Sequence, residues 1–122
     1  MASVCLCFNT SAHTSQILET TLSNGLHVMI KPDHRTPLAM VQVWYRVGGV
    51  DEPRDQLGIS HVLEHMMFKG TIRVPKDELK QLNRRFGGSL NAFTSHNYTY
   101  YYQVYPIQQL PLALELEADR MS

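Results

Sequence analysis

Apolar and polar positions change period several times along the chain, and each change marks a boundary between elements. Leu26, Val28 and Ile30 alternate with His27, Met29 and Lys31, the period of two expected of a strand. Ser23-Asn24-Gly25 precedes them, and Asn and Gly tolerate positive φ, so a turn is expected that pairs this strand with residues just upstream. Pro32 to Pro37 reads as a loop, after which Val41, Val43, Tyr45 and Val47 fall on one face of a second strand that stops at Gly48-Gly49. From Gly58 the period becomes helical, with Ile59, Val62, Leu63, Met66 and Met67 on one stripe, ending near Gly70. Pro75, the acidic Asp77 and Glu78, and Leu79, Leu82 and Phe86 before Gly87-Gly88 predict a second helix.

Ser89 to Thr94 and Tyr98 to Tyr105 read as two strands joined at Ser95-His96-Asn97, the second rich in residues that favour pleated surfaces. After Pro106 a third helix carries Ile107, Leu110, Leu114, Ala118 and Met121, and it is still periodic at Ser122. The order ββααββα predicts an α+β fold in which helices pack an antiparallel sheet. The last helix meets no Gly, Asn or Pro stop signal, so the domain is expected to be cut inside it.

A length of 122 residues allows one domain at most. Eleven Lys and Arg balance eleven Asp and Glu, which removes the basic footprint of nucleic-acid binding. No apolar stretch approaches the roughly 20 residues of a membrane span. The two cysteines, Cys5 and Cys7, are too close together to staple a fold. Residues 1–16 are expected to be a tail, with two readings open: a frayed terminus, or the remnant of a secretory signal. The second would place the protein in the bacterial periplasm or another extracytoplasmic compartment.

The residues that suggest chemistry are His61, Glu64 and His65. At about 100° per residue they cluster on the side of the first helix opposite its apolar stripe. Histidines at i and i+4 project side by side and can reach one zinc ion from a single rigid element. Glu64 then lies beside the metal, placed to take a proton from an attacking water and return it to a leaving amine. A solvated helix face on which these three happen to be neighbours is the plain alternative. His13, His27, His34 and His96 are scattered over the tail, strands and turns and receive no role. The tyrosines from Tyr98 to Tyr105 are read as strand packing, and Arg84-Arg85 as a solvated pair.

His-x-x-Glu-His is the inverted zinc-helix pattern of the inverzincins. Gly49 and the run Gly58-Ile59-Ser60-His61-Val62-Leu63-Glu64-His65-Met66-Met67-Phe68-Lys69-Gly70-Thr71 closely resemble the signature of the insulinase, pitrilysin and mitochondrial processing peptidase (M16) family of zinc metallopeptidases. Leu22 to Leu26, Val41 to Tyr45, Gly88 to Ser95 and Leu116 to Met121 look like the same family's N-terminal domain, so the resemblance covers about residues 17–122. It implies an α/β roll, here incomplete at its C-terminus. It implies zinc held by His61 and His65, Glu64 as general base, and a third ligand, a glutamate, beyond Ser122. It also implies that Asn91, Ala92 and Phe93 lie on an edge strand against which a peptide substrate pairs as an added strand, with Phe93 walling a side-chain pocket. Glu115, Glu117 and Asp119 are not assigned to the metal.

The resemblance therefore implies the N-terminal fragment of a zinc endopeptidase that cuts peptides or unfolded segments. Its partner would be a missing C-terminal half or a second family subunit. The fragment alone is expected to bind zinc weakly, if at all, and to be inactive. The alternative is a non-catalytic family member serving as a structural or partner-binding subunit.

Overall fold

In the computed structural model of the protein, residues 16–121 are described. The expected tail, with Cys5, Cys7 and His13, lies outside them except for Gln16, and so does Ser122. The chain divides into two units, Met1–Thr36 and Pro37–Ser122.

The described part of the first unit is a hairpin of β1 (Leu18–Thr21) and β2 (His27–Ile30), antiparallel from Leu18 opposite Ile30 to Thr21 opposite His27. The upstream partner expected for the first strand is β1. Gly25 takes φ +87° in the turn, where a side chain would be strained. The Asn24 side chain accepts the Leu26 N–H at 3.1 Å.

The second unit is built on a three-stranded antiparallel sheet in the order β3–β5–β4, formed by Leu38–Tyr45, Thr99–Pro106 and Ser89–Thr94 respectively. Helices α1 (Ile59–Met66) and α2 (Lys76–Arg85) lie between β3 and β4 in sequence, and α3 (Leu110–Arg120) follows β5. The fold class is the expected α+β one, and β1, the upstream partner of β2, makes the order βββααββα where ββααββα was expected. In β5 the alternation is complete: Thr99, Tyr101, Gln103 and Tyr105 are buried, and the residues between them are half-buried. Tyr101 stands opposite both Val43 of β3 and Ala92 of β4. Helix α3 packs on β3 and β5, whereas α1 and α2 pack on β4. Leu79, Tyr101, Tyr105, Ala113 and Leu116 form the buried apolar core.

The tyrosines pack the sheet on both faces. Tyr101 and Tyr105 are buried, while Tyr100 stacks on Trp44 with ring centroids 4.4 Å apart and planes at 13°. Among the described residues no helix is long and apolar enough to cross a membrane.

Helix α3 departs from the expected stripe. Ile107, Leu114, Ala118 and Met121 are exposed, and the buried positions are Ala113, Leu116, Glu117 and Asp119. Two buried carboxylates are tolerated because each is met by a donor. Glu117 accepts from the Gln103 amide and from Arg120, and Asp119 accepts from the Thr71 hydroxyl. Among the described residues, the side of α3 that faces the sheet is therefore not its apolar stripe.

The turn from α2 into β4 leaves no room for a side chain at Gly88. A Cβ there would come within 2.0 Å of the Tyr105 ring, which is only 1% exposed and cannot retreat. Overpacking of a close-packed core typically costs about 1–3 kcal/mol. Gly88→Ala is expected to lower stability by about that much, read as a lower urea midpoint with an unchanged slope.

Candidate functional site

Isolated helices shorter than about 12–15 residues are marginal in water, and α1 has 8. Its order must come from what holds it. Four backbone N–H groups at a helix start lack intrahelical partners, and here a remote carboxylate supplies two acceptors. Glu52 Oε2 accepts the Gly58 N–H at 2.7 Å, and Oε1 accepts the Ser60 N–H at 2.9 Å. Those bonds hold the Glu52 carboxyl below its ordinary value of 4.5. Gly58 makes the entry possible with φ +91°.

The segment before Glu52 is stitched to the β4–β5 turn. The Gly49 N–H donates to Ser95 O at 3.1 Å and the Val50 N–H to His96 O at 2.9 Å. A Cβ on Gly48 would lie 2.4 Å from Ser95 O.

At the other end of α1 the chain turns through Gly70, at φ +93°. Thr71 donates to Asp119, and the Arg73 guanidinium lies 3.8 Å from Asp119. The Arg120 guanidinium pairs with Glu117 and sits 5.7 Å from the Phe68 ring centre and 5.1 Å from that of Tyr101, within cation–π range of both.

The face of α1 turned inward is polar. Ser60 and Glu64 are buried, Met67 and Phe68 are half-buried, and the expected apolar stripe of Ile59, Val62, Leu63 and Met66 is exposed. His61 and His65 are exposed at the rim, with ring centres 4.6 Å apart and planes at 43°. The motif is therefore not one solvated face. Glu64, 7% exposed, points in, where the Thr94 hydroxyl donates to its Oε2 at 2.5 Å. A hydrogen bond to a charged group contributes about 1.5–3 kcal/mol, which offsets the cost of desolvating the carboxylate. The phenol of Tyr101 responds to this environment. Burial first, and then the charge of Glu64, push it up to about 12, against the opposing pull of Arg120.

The two imidazoles could supply two nitrogen ligands to one metal ion, as i and i+4 side chains of a single helix. Among the described residues, however, no group of three or more His, Cys, Asp or Glu is placed to hold a metal. The terminal acids are committed elsewhere: Glu115 to Arg73 at 3.4 Å, Glu117 to Gln103 and Arg120, and Asp119 to Thr71.

Asn91, Ala92 and Phe93 lie on β4, which is an edge of the sheet as described. Asn91 and Phe93 are exposed, and Ala92 is half-buried. The Asn91 side chain accepts the Ala92 N–H at 2.9 Å, and Phe93 lies 6.2 Å from Tyr100, ring centre to ring centre. An open cleft of about 330 Å³ lies past the end of α1, lined by Met66, Met67, Gly70, Thr71, Ile72, Asp119 and Arg120. None of His61, Glu64 and His65 lines it.

Sequence reasoning missed Glu52, Tyr101 and Arg120 and gave Thr94 no role of its own. Thr94 carried a signal, since the alternation of β4 sets it with Leu90 and Ala92 on the half-buried side. Glu52 carried none, because no periodicity links it to a helix it does not belong to.

Residues 27–122 match the family model described as Insulinase (Peptidase family M16). The chain is 39% identical over 102 residues to the zinc protease PqqE of Helicobacter pylori, covering 83% of this chain and 23% of that protein. It is 39% identical over 101 residues to mitochondrial-processing peptidase subunit beta of Dictyostelium discoideum, covering 82% of this chain and 21% of that protein. A crystal structure of a protease from Helicobacter pylori superposes with a TM-score of 0.82 at 37% identity, over 88% of this chain and 26% of the other. The chain thus spans about a quarter of the length of these relatives.

Because the Glu52 carboxyl is lowered on folding, the stability it confers is present above its unfolded value of 4.5 and is lost as pH falls through the lower folded one. Glu52→Gln is expected to lower the urea midpoint at neutral pH. The deficit should shrink as pH drops below 4.5, where wild type too becomes protonated. A deficit of equal size in acid and at neutral pH would contradict the charge-assisted cap.

Proposed function

The chain belongs to the insulinase family, peptidase family M16, and from that membership we propose that the protein is a zinc-dependent endopeptidase cutting peptides or unfolded polypeptide segments. The observation that carries the reading is the placement of Glu64: a buried carboxylate that accepts the Thr94 hydroxyl, on the same short helix as two adjacent exposed imidazoles. His61 and His65 would hold the metal, and the third protein ligand, a glutamate, would come from outside these residues. Zinc so held would supply Lewis acidity, polarising the scissile carbonyl and acidifying the attacking water.

The chain's own residues would do the rest. Glu64 accepts the water's proton and later gives it to the leaving amine. Its second oxygen is available for this, because Thr94 holds Oε2. As an edge of the described sheet, β4 would offer main-chain groups to an extended peptide, the Ala92 N–H on release from the Asn91 side chain, so main-chain pairing would provide affinity and side-chain pockets specificity. Phe93, half of whose surface is exposed beside Tyr100, would wall one such pocket, and Asn91 and Ala92 would line the strand's edge. A non-catalytic subunit is the less favoured reading, since all three motif residues are present and relatives are named zinc proteases. The residues that complete the metal site and close over the substrate would lie in the remainder of a protein of the relatives' length, or in a second subunit.

The test is made on the full product of the gene. Glu64→Gln should lower kcat by about 10²–10⁴-fold, the usual weight of general acid–base catalysis, while zinc content stays at one ion per site. His65→Ala should lose the zinc itself, and chelation should abolish wild-type activity until zinc is restored. A Glu64→Gln protein that cleaves peptides at the wild-type rate would overturn the assignment of the base.

A further inference from the structure

The Thr94–Glu64 hydrogen bond joins the last residue of β4 to the middle of α1. We infer that Thr94 is a positioning residue for the reaction, fixing the orientation of the Glu64 carboxylate from the strand along which substrate would lie. This rests on the proposed peptidase reading for its chemistry, but its geometry stands independently.

Three observations support it. Among the described residues, the hydrogen bond to Glu64 comes from Thr94 and reaches one oxygen, Oε2, at 2.5 Å. A carboxylate held at one oxygen by a single donor has its plane restricted while the other oxygen keeps its lone pairs for the incoming proton.

The bond also closes a ring of contacts. From Thr94 the chain passes to Ser95 and His96, whose carbonyls accept the Gly49 and Val50 N–H groups. Glu52 follows and binds the Gly58 and Ser60 N–H groups at the start of α1, and α1 returns to Thr94 through Glu64. The helix therefore does not depend on the Thr94 bond for its placement; that bond adjusts only the end of the Glu64 side chain.

Finally, the half-buried positions of β4 are Leu90, Ala92 and Thr94, opposite in sense to the exposed Asn91 and Phe93. The Thr94 hydroxyl is thus spent on α1 and not on the side-chain contacts of a bound peptide. Being β-branched, Thr94 is also stiff at χ1, so its hydroxyl is held in direction by the strand backbone. Losing it should slow the chemical step and leave substrate affinity alone.

The experiment compares wild type, Thr94→Val and Thr94→Ser in the full gene product. Valine keeps the shape and strand preference, and serine keeps the hydroxyl. For Thr94→Val, kcat should fall about 10–100-fold, a part of the general-base contribution, with KM changed less than about twofold and zinc content unchanged. Thr94→Ser should recover to within about fivefold of wild type. A Thr94→Val enzyme with wild-type kcat overturns the inference, and so does a Thr94→Ser enzyme as slow as Thr94→Val, which would make shape and not the hydroxyl the cause.

A readout without turnover decides the geometry. Crystal structures of the metal-free wild type and Thr94→Val proteins should show the hydroxyl bonded to Glu64 in the first and the carboxylate turned from that orientation in the second. An unchanged Glu64 rotamer in Thr94→Val rejects the positioning role. If wild type cleaves no peptide, the proposed function fails, while these two structures still decide what Thr94 does to Glu64.

Discussion

A carboxylate buried against a β-sheet needs a hydrogen-bond donor, and Glu64 finds its donor on a different element from its own. The hydroxyl that meets it belongs to Thr94, at the end of β4. For the two to come within hydrogen-bond distance, a helix of 8 residues must lie across the strand with its polar side inward. Among the described residues that orientation gives α1 little apolar burial, since Ile59, Val62, Leu63 and Met66 are exposed there. Within the described residues the usual source of helix stability, a greasy face against the core, is therefore reduced. What replaces it is anchorage at both ends: Glu52 on the first-turn amides, and the turn through Gly70 and Thr71 held by α3.

The same logic repeats in α3. Glu117 and Asp119 are buried, which would be costly for unpaired acids, but each lies among donors drawn from β5, from the loop after α1 and from α3 itself. Arg120 has a double role. It pairs with Glu117 and lies beside both the Phe68 and the Tyr101 ring, so one guanidinium connects the α1 end of the site to the central strand. Breaking such a buried pair by removing one member leaves an uncompensated charge, usually a loss of about 3–5 kcal/mol. Phe68, three residues after His65, is in this way in contact with a buried ion pair on another helix.

Local signals in the sequence predicted the elements well and their faces poorly. The Asn24-Gly25 turn, the strand Ser89–Thr94 and the helix opened by Pro75 all stand where turn chemistry and periodicity place them, because those features are decided by neighbouring residues. The His-x-x-Glu-His spacing likewise brought the two imidazoles together through helix geometry alone. Which side of α1 and of α3 faces the sheet was not legible by apolarity. The partners that make burial of the acids possible are far away along the chain, 30 residues for Glu64 and Thr94 and 48 for Asp119 and Thr71. A periodicity argument sees side chains one turn apart and has no means of crediting a distant hydroxyl. Glu52 was invisible for the same reason, reaching Ser60 from 8 residues upstream through a loop.

The contrast between the motif's residues is informative in itself. His61 and His65 are exposed and Glu64 is buried, although all lie within five consecutive positions. Groups that bind a metal can acquire their final order from the metal, since coordination fixes ring direction once ligands are gathered. A general base has no such template. Its oxygen must already be placed when the proton moves, and reorganising it at that moment would raise the barrier. Burial with a fixed donor provides that order in advance, at the cost of needing a partner on a separate element. In the proposed reaction the sheet edge and the acid are parts of one device: the strand that would align a substrate backbone is also the strand whose last side chain would orient the base.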